Sequence, residues 1–124
     1  MELRKPDVDQ VPGPPPADLV VTDLTVGDGP EATPGQTVTV HYVGVSHANG
    51  AEFDSSWNRN EAFSFPLGGG RVIAGWDRGV AGMKVGGRRQ LVIPPHLAYG
   101  ERGAGGVIAP GATLVFVVDL LGVK

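Results

Sequence analysis

Apolar and polar residues alternate with a two-residue period through the middle of the chain. Val38, Val40 and Tyr42 interleave with Thr37, Thr39 and His41 inside a β-branched run from Gln36 to Val45. Successive side chains of a strand point to opposite faces, so this run predicts a half-buried β-strand. Earlier, Leu19 to Val26 is an apolar stretch closed by Gly27-Asp28-Gly29-Pro30, and Pro34-Gly35 marks a turn before the main run. His47-Ala48-Asn49-Gly50 supplies a hairpin turn, followed by a short strand at Glu52-Phe53-Asp54. Ser55 to Ala62 reads as a loop leading into the alternating pair Phe63-Ser64-Phe65. Arg88 to Ile93 is a further strand, stopped by Pro94-Pro95. A glycine-rich loop spans 96–112, and Thr113 to Leu121 forms the last β run.

One segment has a different period. Ile73, Trp76, Val80 and Met83 fall at i, i+3, i+7 and i+10, which is one face of a helix. That helix would carry Gly75, Gly79 and Gly82, each costing of order 1 kcal/mol against alanine. It would not stand alone, so packing on a sheet must hold it. The pattern predicts an α+β fold, a mainly antiparallel sheet wrapped over one short helix.

Composition narrows the setting. With 124 residues the chain makes one domain, large enough for a modest core. Residues 1–16 read as a flexible proline-rich arm, extended through Val11-Pro12-Gly13-Pro14-Pro15-Pro16, and 17–124 as the folded domain. Elsewhere the 20 glycines and 11 prolines punctuate apolar runs, as turns in a β-rich domain do. The absence of cysteine excludes disulfides and thiolate metal sites and makes a reducing cytoplasm the expected setting. Net charge is −3 with both signs scattered, which argues against nucleic acid as a partner. Lys84, Arg88 and Arg89 form the one basic cluster, read as a solvated turn. No apolar run approaches the roughly 18 residues of a membrane span. The basic residues Arg4 and Lys5 have no apolar stretch behind them, so a secretory leader is not expected.

Several chemistries lack their residues. His41, His47 and His96 form no paired ligand spacing, so no metal site is expected. Ser55 and Ser56 have no nucleophile elbow around them. The clusters Gly68–Gly70 and Gly100–Gly106 lack the Gly-Lys-Ser/Thr of a phosphate loop. What remains is the series Tyr42, Phe53, Phe63, Trp76, Tyr99 and Phe116. Any one of these fits ordinary core packing. As a set with an acid and a phenol among them, they fit an apolar pocket with two polar handles. Asp54 alone also fits a turn and Arg59 a surface charge. Their spacing permits a pair across the Ser55–Asn58 loop, holding the carboxylate at a pocket edge.

A series of short motifs carries a resemblance. In order they are Val40-His41-Tyr42-Val43-Gly44, Phe53-Asp54-Ser55-Ser56, Asn58-Arg59-Asn60, Phe63-Ser64-Phe65 and Leu67-Gly68. Val72-Ile73-Ala74-Gly75-Trp76, Gly79-Val80-Ala81-Gly82-Met83, Ala98-Tyr99-Gly100 and Ala112-Thr113-Leu114-Val115-Phe116 follow. From about Leu19 to Val123 the chain resembles the FKBP-type peptidyl-prolyl cis-trans isomerases. The resemblance implies a twisted antiparallel sheet of five or six strands around a short helix, with a pocket between them. It implies catalytic roles for Asp54, Tyr99, Phe53 and Trp76, the last as the pocket floor. Tyr42, Phe63, Val72, Ile73 and Phe116 would be walls, with Val107 and Ile108 on the long loop above and Arg59 supporting Asp54. The Ile73 N–H and the Tyr99 hydroxyl would meet carbonyls of the bound peptide.

The implied activity is rotation about Xaa-Pro bonds, assisting protein folding as a monomer without a cofactor or metal. The implied partners are proline-containing peptides, unfolded protein clients and FK506- or rapamycin-type macrolides, with no nucleic acid or membrane. Departures from the family pattern fall at Ala104, Gly105, Arg71 and Leu97. The first two suggest a looser lid, and Arg71 a changed charge preference around the proline. Only residues 100–112 separate Tyr99 from Thr113, too short for the chaperone insert of some members. A docking module that has lost turnover is the alternative reading; retention of the floor, acid and phenol favours the enzyme.

Overall fold

The computed structural model describes residues 4–124, so the first three positions of the expected arm lie outside the described residues. Six strands and one helix follow in the order β1 (Val20–Thr25), β2 (Thr37–Ser46), β3 (Glu52–Ser55), β4 (Phe63–Pro66), α1 (Ala74–Gly79), β5 (Arg88–Ile93) and β6 (Leu114–Val123). Single 3₁₀ turns lie at Trp57–Arg59 and Pro95–Leu97. The strands form one antiparallel sheet in the order β1-β5-β6-β2-β3, and β4 pairs with the first half of β2. The helix lies on the inner face, and the core fills the space between.

Alternation along β2 appears as burial. Val38 and Val40 are fully buried and Tyr42 nearly so, while Thr37 is exposed. From Val43 onward both faces are covered. The outer face there packs against Val8 and Val11 of the arm and against Trp57. Residues 4–16 have no regular secondary structure, yet Lys5 meets Glu52 at 2.9 Å and Gln10 Nε2 donates to the Ala48 carbonyl at 2.8 Å. β6 lies between β5 and β2 and is buried from Leu114 to Leu120. A strand covered on both faces reads as a continuous apolar run, as Leu114-Val115-Phe116-Val117-Val118 does. Its one buried acid, Asp119, pairs with Arg88 at 2.7 Å. Burial pushes that carboxyl above its usual range, and the guanidinium only partly opposes this.

The helix is shorter than the apolar spacing predicts. It ends at Gly79, Ile73 and Val80 are its caps, and Met83 reaches the core from the following turn. Gly82 lies outside it, with φ +90 and its N–H donated to the Ala32 carbonyl. A residue at that φ cannot continue a right-handed helix. The glycines inside the helix have a packing reason. A Cβ on Gly75 would lie 2.5 Å from Ile93 Cγ2, and one on Gly79 would lie 2.6 Å from Leu91 Cδ2. The helix backbone therefore rests directly on β5.

One further expectation is corrected. Arg88 and Arg89 belong to β5, and of the basic cluster only Lys84 is exposed. Arg89 bonds Asp23 at 2.7 Å on β1, and the carbonyls of Gly79 and Ala81 at 2.9 and 3.1 Å. It ties the sheet edge to the end of the helix. The apolar run Leu19–Val26 supplies little core, since Val20, Val21, Leu24 and Val26 are exposed. β1 is an edge strand with β5 on one side only.

Candidate active site

Trp76 is placed by α1 at the bottom of a cavity of about 350 Å³. Its indole packs edge-on against Tyr42 and Phe116, with ring centroids 4.9 and 5.3 Å apart. Such T-shaped contacts set the positive edge of one ring against the negative face of another. Phe63 and Phe65, two residues apart on β4, point the same way and stack at 5.6 Å. Phe65 is buried beneath, and Phe63 is left 38% exposed at the rim. Phe53 from β3 meets Phe116 edge-on at 5.5 Å. Gly44 makes room for that contact, since a Cβ there would lie 2.7 Å from both rings.

All eleven residues assigned to the pocket line this one cavity: Tyr42, Phe53, Asp54, Phe63, Val72, Ile73, Trp76, Tyr99, Val107, Ile108 and Phe116. Arg71 and Ala104 complete the lining. Arg59 stands behind it. Its Nη1 donates to Asp54 Oδ1 at 2.7 Å and its Nη2 to the Tyr42 hydroxyl at 2.8 Å. Tyr42 donates in turn to Asp54 Oδ2 at 2.7 Å, so both carboxylate oxygens are engaged. Burial pushes the Asp54 carboxyl up, but the Tyr42 and Arg59 hydrogen bonds outweigh it and hold it below its usual range. The Tyr42 phenol is pushed up by burial and by its bond to Asp54. Tyr99 is also pushed up, by burial and then by the Asp54 charge, and so stays a protonated donor at neutral pH.

The two donors that the resemblance pairs with peptide carbonyls both border the cavity unengaged. Among the described residues, neither the Ile73 N–H nor the Tyr99 hydroxyl has a protein acceptor. Ile73 is the helix N-cap, with an extended ψ of 147, and its carbonyl already accepts from Trp76 and Asp77. The loop above is a closed turn. Ala104 and Ile108 exchange two backbone bonds at 2.9 and 3.0 Å, leaving Val107 67% exposed and Ile108 buried. A Cβ on Gly103 would lie 2.1 Å from the Ile108 carbonyl, so this turn requires glycine there.

Three supporting residues escaped the sequence reading. Ser56 is fully buried, and its Oγ accepts from the Tyr42 N–H at 2.7 Å. His41 joins it through Nδ1 at 2.8 Å and stacks on Trp57 at 4.2 Å. Together they pin the 55–62 loop, and with it Arg59, to β2. Asp77 accepts from the N–H groups of Gly68 and Gly70 at 2.8 and 3.1 Å, fixing the turn that leads into Val72 and Ile73. An acid in the first turn of a helix behind a glycine cluster was the available signal for Asp77. Nothing in the sequence signals the Ser56 contact. Among the described residues, no group of three or more His, Cys, Asp or Glu could hold a metal.

A family model described as FKBP-type peptidyl-prolyl cis-trans isomerase matches residues 29–121. An FK506-binding protein of Streptomyces anulatus is 63% identical over 124 residues, spanning 99% of this chain and all of its own length. A probable FK506-binding protein of Corynebacterium glutamicum is 55% identical, across 96% of this chain and 98% of its own. The crystal structure of AtFKBP13 superposes with a TM-score of 0.79 at 44% identity, covering 86% of this chain and 93% of that one.

Proposed function

We propose, from the premise that this chain belongs to the FKBP-type peptidyl-prolyl cis-trans isomerase family, that the cavity over Trp76 takes the proline of an Xaa-Pro peptide and lowers the barrier to rotation about its amide. Rotation requires loss of amide resonance, against about 18–20 kcal/mol. No proton has to move and no nucleophile is needed. The planar amide is more charge-separated than the twisted one, and water stabilises it. The rings of Trp76, Tyr42, Phe63 and Phe116 offer no such solvation, so transfer into the cavity disfavours the planar form relative to the transition state.

The observation that carries this reading is the pair of unengaged donors, Ile73 N–H and Tyr99 hydroxyl, beside an aromatic floor. They would hold the peptide carbonyls so that binding energy favours the twisted geometry. Asp54, fixed by Arg59 and Tyr42, would set the electrostatics beside the rotating carbonyl without itself titrating. Going from about 10⁻² to about 10² s⁻¹ takes roughly 5–6 kcal/mol. Desolvation and two hydrogen bonds can supply that. One chain provides every wall of the cavity, so a monomer suffices. The clients on this reading are unfolded chains with accessible Xaa-Pro bonds, and FK506-type macrolides would compete for the same floor.

The test is cis/trans exchange in a short Leu-Pro peptide by NMR, with and without FK506. Catalysed exchange abolished by FK506 is expected. Tyr99→Phe should lower kcat/KM about 2–10-fold, the loss of one neutral hydrogen bond, and Asp54→Val about 10-fold or more, since it removes the charge beside the rotating carbonyl and leaves Arg59 and Tyr42 without their acceptor. Saturable FK506 binding without catalysis would make the domain a docking module. Full activity in both variants would remove these roles from Tyr99 and Asp54.

A further inference from the structure

Of the residues lining the cavity, only Asp54 and Arg71 carry charge. Their circumstances differ. Asp54 is saturated, with one oxygen on Arg59 and the other on the Tyr42 hydroxyl. Arg71 is exposed and makes no hydrogen bond, ion pair or ring contact among the described residues. The carboxylate nearest it in sequence, Asp77, is turned to the Gly68 and Gly70 N–H groups. The cavity therefore has an acid paired with Arg59 and Tyr42 at one wall and a guanidinium with no partner among the described residues at another.

Position adds to this. Arg71 lies two residues before Ile73, whose free N–H borders the same cavity. The turn carrying both is held by the two Asp77 bonds, so the guanidinium is attached to a fixed base. A guanidinium is a planar five-donor group suited to carboxylates. It would stand beside any peptide whose carbonyl takes the Ile73 N–H.

We infer that Arg71 is a specificity-determining residue, and that the site favours peptides with a carboxylate side chain on a residue flanking the proline. This rests on the isomerase reading given above and names the substrate class of that site. The overall charge of −3 would by itself favour basic peptides, so an acidic preference would have to be local.

The experiment compares NMR-measured kcat/KM for peptides with Leu, Glu or Lys immediately before the proline, and a second series with them immediately after. Each is run with the wild type, Arg71→Ala and Arg71→Glu, with folding of the variants checked by urea melts. The expected Glu-to-Lys ratio is about 3–10 in at least one series, the scale of one exposed charge contact. It should fall towards one in Arg71→Ala, reverse in Arg71→Glu, and shrink at about 1 M salt, where the screening length is about 3 Å. Catalysis of Leu-Pro with a Glu-to-Lys ratio near one in both series, or a ratio unmoved by Arg71→Glu, would overturn the inference and leave the isomerase reading intact. No catalysis of any peptide would overturn both.

Discussion

Replacing Gly75 by alanine sets helix propensity against packing, and the two predict opposite signs. Propensity says that Gly→Ala in a helix stabilises by up to about 1 kcal/mol. The structure says otherwise. The three nearest neighbours of an added Cβ are Ile93 Cγ2, Cδ1 and Cγ1, at 2.5, 2.7 and 2.9 Å. Because Cγ1 and Cγ2 both branch from Ile93 Cβ, no rotamer clears both. Ile93 is fully buried, so it has nowhere to swing. Ordinary contact would require the helix to lift from β5 by about 1 Å. Overpacking of this kind costs about 1–3 kcal/mol, leaving a net destabilisation of up to about 2 kcal/mol after the full propensity gain of about 1 kcal/mol. With a urea slope of about 2 kcal/mol per molar, the midpoint should fall by up to roughly 1 M. In an Ile93→Ala background all three clashing atoms are gone. There Gly75→Ala should be neutral or stabilising, with a coupling of about 1–3 kcal/mol between the sites. The same lift would carry Trp76 and Ile73 with it, so peptide and FK506 affinity should weaken in the single variant. A stabilised Gly75→Ala protein in the wild-type background would refute this reasoning.

Two other outcomes follow from the ion pairs. Asp54 has a folded-state pKa below its unfolded value, so its contribution is fully present above the unfolded pKa of about 3.9 and is lost as pH falls through the lower folded value. The stability difference between wild type and Asp54→Asn should therefore shrink as pH is lowered from about 5 to below 3. It should not exceed about 1 kcal/mol, because both partners are more than two-fifths exposed; a gap that widened towards acid would contradict the assignment. Arg89→Met should destabilise by about 1.5–3 kcal/mol in urea melts, since it frees the Gly79 and Ala81 carbonyls as well as Asp23. Asp23→Asn should cost at most about 1 kcal/mol, and equal losses from the two would show that the carbonyl contacts contribute nothing.

Much of the architecture is visible in one dimension because strands and helices have different periods. The β2 run, the β4 pair and the continuous apolar run of β6 each declare themselves locally, and their order is that of the fold. The pocket residues were legible as a set, through motif order and the resemblance it carries, and the structure brings all eleven to one cavity. Helix length was not legible. Val80 and Met83 keep the spacing of a helical face, yet Gly82 between them has φ +90, and only the backbone reveals that sign.

What the sequence by itself determined is the list of elements, their faces and the identity of the groups at the site. Tertiary structure alone decided which of those groups meet. Placing β5 beneath α1 turns Gly75 and Gly79 from weak helix formers into the condition for close packing. Placing β1 at the edge leaves an apolar run exposed, and laying residues 4–16 on the outer face buries Val43 and Val45 on the side that alternation would leave to solvent. The bonds of Arg59 to Tyr42, Asp77 to Gly68 and Arg89 to the end of the helix follow from the same arrangement. Periodicity is a property of neighbours a few residues apart. Contacts between residues far apart depend on strand order and register, which no local pattern encodes.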